Sequence, residues 1–157
     1  MKRFAAGLVL AALTAAPAFA QKTVTFAHQD MIVPLRTVME SGELEKATGY
    51  KINWRMFGGG GDVIKAMASG DVQLGEAGSS PIPAAASQGQ DIQLFWILDD
   101  IAGAEALIAR KGSGINSIKD LKGKKVAVPF VSTAHYQLLA ALQHSGVNPK
   151  DVNILNL

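Results

Sequence analysis

Ser69-Gly70-Asp71-Val72-Gln73-Leu74-Gly75-Glu76-Ala77-Gly78-Ser79-Ser80-Pro81 reads as a helix stop, a short apolar strand and the start of a second helix. Gly70 supplies the backbone freedom that ends a helix. Residues 72–77 are apolar enough for an interior strand. Pro81 suits the first helical turn, where its missing N–H costs nothing. Ser79 or Ser80 can cap that helix, and Gly78 lets another group approach the backbone closely. A helix start with free N–H groups, two hydroxyls and no side-chain bulk suits an anion. The same residues also make an ordinary serine-capped turn, and this stretch alone favours that reading.

Working outward, the alternation of strand and helix continues. Residues 23–28 run Thr-Val-Thr-Phe-Ala-His and predict a strand. Residues 34–47 place Leu35, Val38, Met39 and Leu44 at helical spacing, with Ser41-Gly42 as an interruption. Residues 50–57 alternate again, with Tyr50, Ile52, Trp54 and Met56 on one face and Lys51, Asn53 and Arg55 on the other. Gly58-Gly59-Gly60-Gly61 reads as a flexible or ligand-lining break, after which Asp62 caps a helix over 63–69. A helix is predicted over 81–88. Residues 93–98, containing Leu94-Phe95-Trp96-Ile97-Leu98, predict a strand buried on both faces, and 104–110 predict another. A helical turn at 117–121 and a basic loop at 122–125 lead to a strand at 126–129. Residues 133–144 predict a helix with Leu138, Leu139, Ala141 and Leu142 on its apolar side, and 152–155 a last strand. The pattern is that of an α/β fold with an open, largely parallel sheet and helices on both faces. Ligands of such sheets sit beyond the C-terminal ends of the strands. The turns at 58–61, 78–81 and 129–133 all follow strands. The chain stops at Leu157 just after a strand, which leads us to expect the N-terminal part of a longer protein.

The amino terminus predicts export. Lys2 and Arg3 precede an apolar run over 4–13, and Ala18-Phe19-Ala20 gives a cleavage site before Gln21, so residues 1–20 read as a signal peptide. The run is too short to span a bilayer. The 157-residue chain has no cysteine, so an exported form must rest on its core rather than on disulfides. The formal charge of +2 belongs to the signal segment: without Lys2 and Arg3, 13 basic and 13 acidic residues remain. That balance gives no reason to expect a nucleic-acid partner or an anionic membrane surface.

Little in the chain suggests catalysis. The glycine run lacks the Lys-Ser/Thr ending of a phosphate loop and the spacing of a dinucleotide fingerprint. His28, His135 and His144 are too scattered for a metal site, no serine sits in a Gly-x-Ser-x-Gly setting, and Asp99-Asp100 reads as a solvated turn. Trp54 and Trp96 read as core or half-buried sheet residues. We therefore expect no enzyme activity, no cofactor and no metal. A second hydroxyl-rich helix start does stand out. Ser132 and Thr133 follow a strand as Ser79 and Ser80 do, and His135 lies on the first turn beyond them. Two such starts suggest an anion held between two segments, with structural capping at both as the competing reading.

The run 69–81, together with Asn53-Trp54-Arg55-Met56-Phe57, Leu121-Lys122-Gly123-Lys124-Lys125-Val126-Ala127-Val128-Pro129-Phe130 and Ser132-Thr133-Ala134-His135-Tyr136, resembles the periplasmic substrate-binding proteins of ABC importers for taurine and aliphatic sulfonates. The resemblance covers the whole segment after residue 20. It implies a two-lobe, type II periplasmic-binding fold: lobe one at 21–104, a crossover and linker at 105–123, and an incomplete start of lobe two at 124–157. It also implies a sulfonate held at Gly78, Ser79, Ser80, Ser132 and Thr133, with His135 and Gln29 lining the cleft and Glu105 accepting the ammonium of taurine. Neutral N–H and O–H donors can hold an ionised sulfonate without a countercharge. The implied partner is an inner-membrane permease, with the binder a periplasmic monomer. The Gly58-Gly59-Gly60-Gly61 run departs from a more mixed loop of the taurine branch. The alternatives are the same fold with an alkanesulfonate, nitrate or a pyrimidine precursor as ligand, an enzyme on a similar sheet, or an inactive fragment.

Overall fold

A computed structural model describes residues 21–101 and 103–157, so the expected signal peptide at 1–20 lies outside the described residues. Two parallel sheets organise the chain. In the first, β1 (Thr23–Gln29) lies between β2 (Lys51–Phe57) and β3 (Leu74–Gly75). β1 pairs with β2 from Thr23↔Lys51 to Gln29↔Phe57, and with β3 at Phe26↔Leu74 and Ala27↔Gly75. In the second, β4 (Lys125–Val128) pairs with β5 (Asn153–Asn156). Parallel neighbours need a crossover between them. Here α1 (Leu35–Ser41) and α2 (Glu43–Thr48) connect β1 to β2, α3 (Gly60–Ala68) connects β2 to β3, and α5 (Thr133–His144) connects β4 to β5. α4 (Pro81–Ser87) follows β3.

The local signals act where they stand. Gly42 takes a left-handed φ of 62° and splits α1 from α2. Trp54 is half-buried on β2, its ring 4.9 Å from Phe26 and its Nε1–H donating to Glu45 Oε1 at 3.1 Å. Ser117 and Asp120 form a reciprocal capping box on the 3₁₀ turn Ile118–Leu121.

The second unit has the fuller core. Leu121, Val126, Val128, Leu138, Leu142, Val147 and Val152 pack together, with Leu142 fully buried. In the first unit Ala27, Val63 and Val72 form a smaller cluster backed by Phe57, Ala66 and Met67. α3 lies close against β3 because Gly75 has no side chain: a Cβ there would fall 2.6 Å from Val63 Cγ1.

Several expectations need correcting. Residues 93–98 are not a strand buried on both faces, and 104–110 are not a strand. Phe95, Trp96 and Ile97 are 67–79% exposed, so Trp96 is not a core residue. An apolar run becomes a strand only where another strand supplies its ladder, and no described strand takes up these segments. Gln93, Leu94, Phe95, Trp96 and Leu98 of the first segment border a cavity of about 510 Å³ that Phe26, Leu35, Val38 and Met67 also line. The third strand is shorter than predicted, although Gln73 N–H and Glu76 N–H still donate to Thr25 O and Ala27 O on either side of it. The glycine run is not a flexible break. Gly59, Gly60 and Gly61 are buried, and the last two form the first turn of α3.

Candidate functional site

Three helix starts meet beyond the C-terminal ends of the strands, and missing side chains let them meet. A Cβ on Gly60 would lie 2.9 Å from the Pro81 ring at the start of α4. One on Gly61 would lie 2.8 Å from Val131 Cβ, just before α5. One on Gly78 would collide with Thr133 Oγ1, at the first residue of α5. The glycines of the first unit thus seat the β4–α5 loop of the second.

That loop is tied at both ends. Phe130 N–H donates to Asn156 Oδ1 at 2.7 Å. Ser132 Oγ donates to Pro129 O at 2.6 Å and accepts from His135 N–H at 3.1 Å. Between them Val131 sits at a φ of 54°, the left-handed region. A β-branched residue there is strained by about 1–3 kcal/mol.

The two adjacent hydroxyls at the start of α5 are bonded differently. Ser132 is a structural cap with its donor and an acceptor position already in use. Thr133 Oγ1 is buried and has no hydrogen-bond partner. A buried, unpartnered hydroxyl costs about 1–3 kcal/mol, a cost that a ligand oxygen would offset. His135 is half-buried, stacked on Phe130 with ring centroids 4.7 Å apart, and its Nδ1 accepts from Val131 N–H at 3.4 Å. Nε2 is then the ring nitrogen left to donate.

Across from α5, Ser80 occupies the N-cap position of α4 but makes no side-chain cap bond, which corrects the expected serine cap. Its backbone is helical at φ −92° and ψ −41°, whereas a capping residue holds an extended backbone that aims its oxygen back at the helix. Ser79 is exposed and Ser80 half-buried. Gln29 is placed at the end of β1, its N–H donating to Glu76 Oε1 at 2.5 Å. Glu76 and His28 are the buried polar residues here, and His28 Nδ1 lies 3.2 Å from Gln29 O. Glu105 is half-buried and accepts a hydrogen bond from Gln137 Nε2 on α5. Gln137 was not anticipated, although its place four residues after Thr133 puts both on one helix face.

The structure thus brings together Gly78, Thr133 and the starts of α3, α4 and α5, and places Glu105 against α5. Neither the 510 Å³ cavity nor a second of about 620 Å³ beside Gln143 and Pro149 is lined by Ser79, Ser80, Ser132 or Thr133. Among the described residues no three His, Asp or Glu gather as a metal site, and no helix is long and apolar enough to cross a membrane.

Comparison with known proteins identifies relatives of this arrangement. A family model described as NMT1/THI5 like matches residues 46–157. The taurine-binding periplasmic protein of Escherichia coli K12 is 43% identical over 134 residues, which is 85% of this chain and 41% of that protein. The solved alkanesulfonate-binding protein of Xanthomonas axonopodis pv. citri, bound to MOPS, superposes with a TM-score of 0.78 at 29% identity, over 88% of this chain and 48% of that one. The periplasmic aliphatic sulphonate binding protein of Escherichia coli gives a TM-score of 0.63 at 25% identity, over 88% and 45%. The α/β architecture is therefore that of periplasmic sulfonate-binding proteins. The chain spans somewhat under half the length of these relatives.

Proposed function

The chain belongs to the NMT1/THI5-like family, and from that premise we propose that it is the ligand-binding part of an ABC importer, non-enzymatic and exported to the periplasm, that captures taurine and presents it to a membrane permease. The observation that carries this reading is the buried, unpartnered Thr133 Oγ1 at the start of α5, facing Gly78 at the approach to α4. A sulfonate there would accept from Thr133, from the N–H groups of the helix start and from Ser79, Ser80 and His135 Nε2. The ammonium would lie against Glu105. Among the described residues Glu105 joins none of the salt bridges, so its charge is not already neutralised. The lobe limits we propose are 21–104 and 124–157, joined through 105–123. Admission of a ligand requires Gly78 and Thr133 to part, and closure then reunites them around it.

A second reading, an alkanesulfonate without taurine's ammonium, draws on the solved relatives, an alkanesulfonate-binding and an aliphatic sulphonate binding protein. In that case Glu105 is a bystander. Calorimetry of the full chain with taurine, ethanesulfonate and sulfate separates the two. Tighter binding of taurine than of ethanesulfonate, by about tenfold for a charge-assisted contact, supports taurine. Equal affinity supports the alkanesulfonate reading, and no heat with any of the three rejects both.

A further inference from the structure

We propose that Gln137 is a positioning residue that aims Glu105 and thereby makes the site discriminate on the cationic end of its ligand; this rests on the taurine reading above. Glu105 lies in an irregular segment, outside any helix or strand, so its own backbone does little to fix its carboxylate. Among the described residues its carboxylate accepts a hydrogen bond from Gln137 Nε2. Gln137 in turn belongs to α5, which is capped by Ser132 and anchored by the buried Leu138 and Leu142. The amide therefore ties the carboxylate to the helix.

Gln137 also sets a spacing. It lies one turn along α5 from Thr133, a rise of about 6 Å over four residues. The unpartnered donor at one position and the held acceptor at the other lie on the same helix face. A ligand with an anionic head and a cationic tail separated by a short chain matches that order of charges; an anion with an alkyl tail does not use the second position. The donor is a neutral amide, which fixes the carboxylate without cancelling its charge. A lysine or arginine at 137 would also hold Glu105, but it would put a cation where the ligand's ammonium belongs.

The test is calorimetry of the full chain as wild type, Gln137→Ala and Gln137→Lys, with taurine and with ethanesulfonate, alongside thermal melts. Gln137 is exposed, so both variants are expected to melt within a few degrees of wild type. Gln137→Ala is expected to weaken taurine about tenfold and leave ethanesulfonate within about twofold. Gln137→Lys is expected to weaken taurine further while ethanesulfonate binding is kept. Equal losses for the two ligands, or no change for either, would overturn the positioning role while leaving the taurine reading intact. A wild type that binds neither ligand overturns the taurine reading, and this inference with it.

Discussion

Thr133 lets stability and binding be separated at a single atom. Replacing it with valine keeps the shape and removes a buried hydroxyl that has no partner. The ligand-free protein is expected to gain about 1 kcal/mol, read from urea midpoints, while taurine affinity falls about tenfold. A variant that loses both would make the hydroxyl structural. Gly61 and Val131 form a second residue-scale pair. Alanine at 61 improves helix propensity by about 1 kcal/mol, but its Cβ would meet Val131 Cβ at 2.8 Å, and overpacking costs about 1–3 kcal/mol. Gly61→Ala is expected to destabilise. Val131→Gly opens that space and relieves the left-handed strain, so the double variant should exceed wild type in melting temperature. None of this was legible in the glycine run itself. Four glycines in a row suggest freedom, and the atoms that crowd Gly60 and Gly61 belong to Pro81 and Val131, far along the chain.

Among the elements, those with local signals were the legible ones. α5 has the bounds its sequence predicts, because Ser132 caps it and Leu138 and Leu142 bury one side. Ser132→Ala is expected to cost about 1 kcal/mol by losing that cap, with amide exchange quickening in the first turn of α5. The 3₁₀ turn Ile118–Leu121 carries the clearest pH dependence. The N–H groups of Asn116 and Ser117 and the Ser117 hydroxyl donate to Asp120, and these bonds hold its pKa below the usual carboxylate value. A carboxyl lowered on folding stabilises the fold above its unfolded pKa and loses that contribution as pH falls through the folded value. The loss therefore lies below about pH 4. Asp120→Asn should be less stable than wild type near neutrality and should converge with it in acid. A gap that stays constant across the titration would count against the capping box as its source. The segments at 93–98 and 104–110 depart from the strand expectation for a different reason. Their apolar composition fits a strand, but pairing depends on a neighbour that local sequence does not specify.

At the scale of the whole molecule, the two parallel units follow from the alternation of strands and helices, and the meeting of their helix starts from strands that all run the same way. The different hydrogen bonding of Ser132 and Thr133 could not be read from the sequence, since both are hydroxyl residues at a helix start and only the three-dimensional surroundings tell them apart. The exposed apolar strip at 94–98 is a whole-molecule feature too. In a Trp54→Phe variant of this chain, Trp96 should emit as a solvent-exposed indole and be readily quenched by acrylamide, whereas Trp96→Phe should leave a protected signal from Trp54 on its Phe26 contact. A shielded Trp96 would show that the strip is covered. The glycine seats bear on recombination between homologues. Gly61 faces Val131 and Gly78 faces Thr133, so each seat has one half in the first unit and one in the second. A chimera that joins the first unit of one parent to the second unit of another inherits unmatched halves unless positions 61 with 131, and 78 with 133, are exchanged as pairs. Crossover points for such hybrids should be judged by those two pairs rather than by overall identity between the parents.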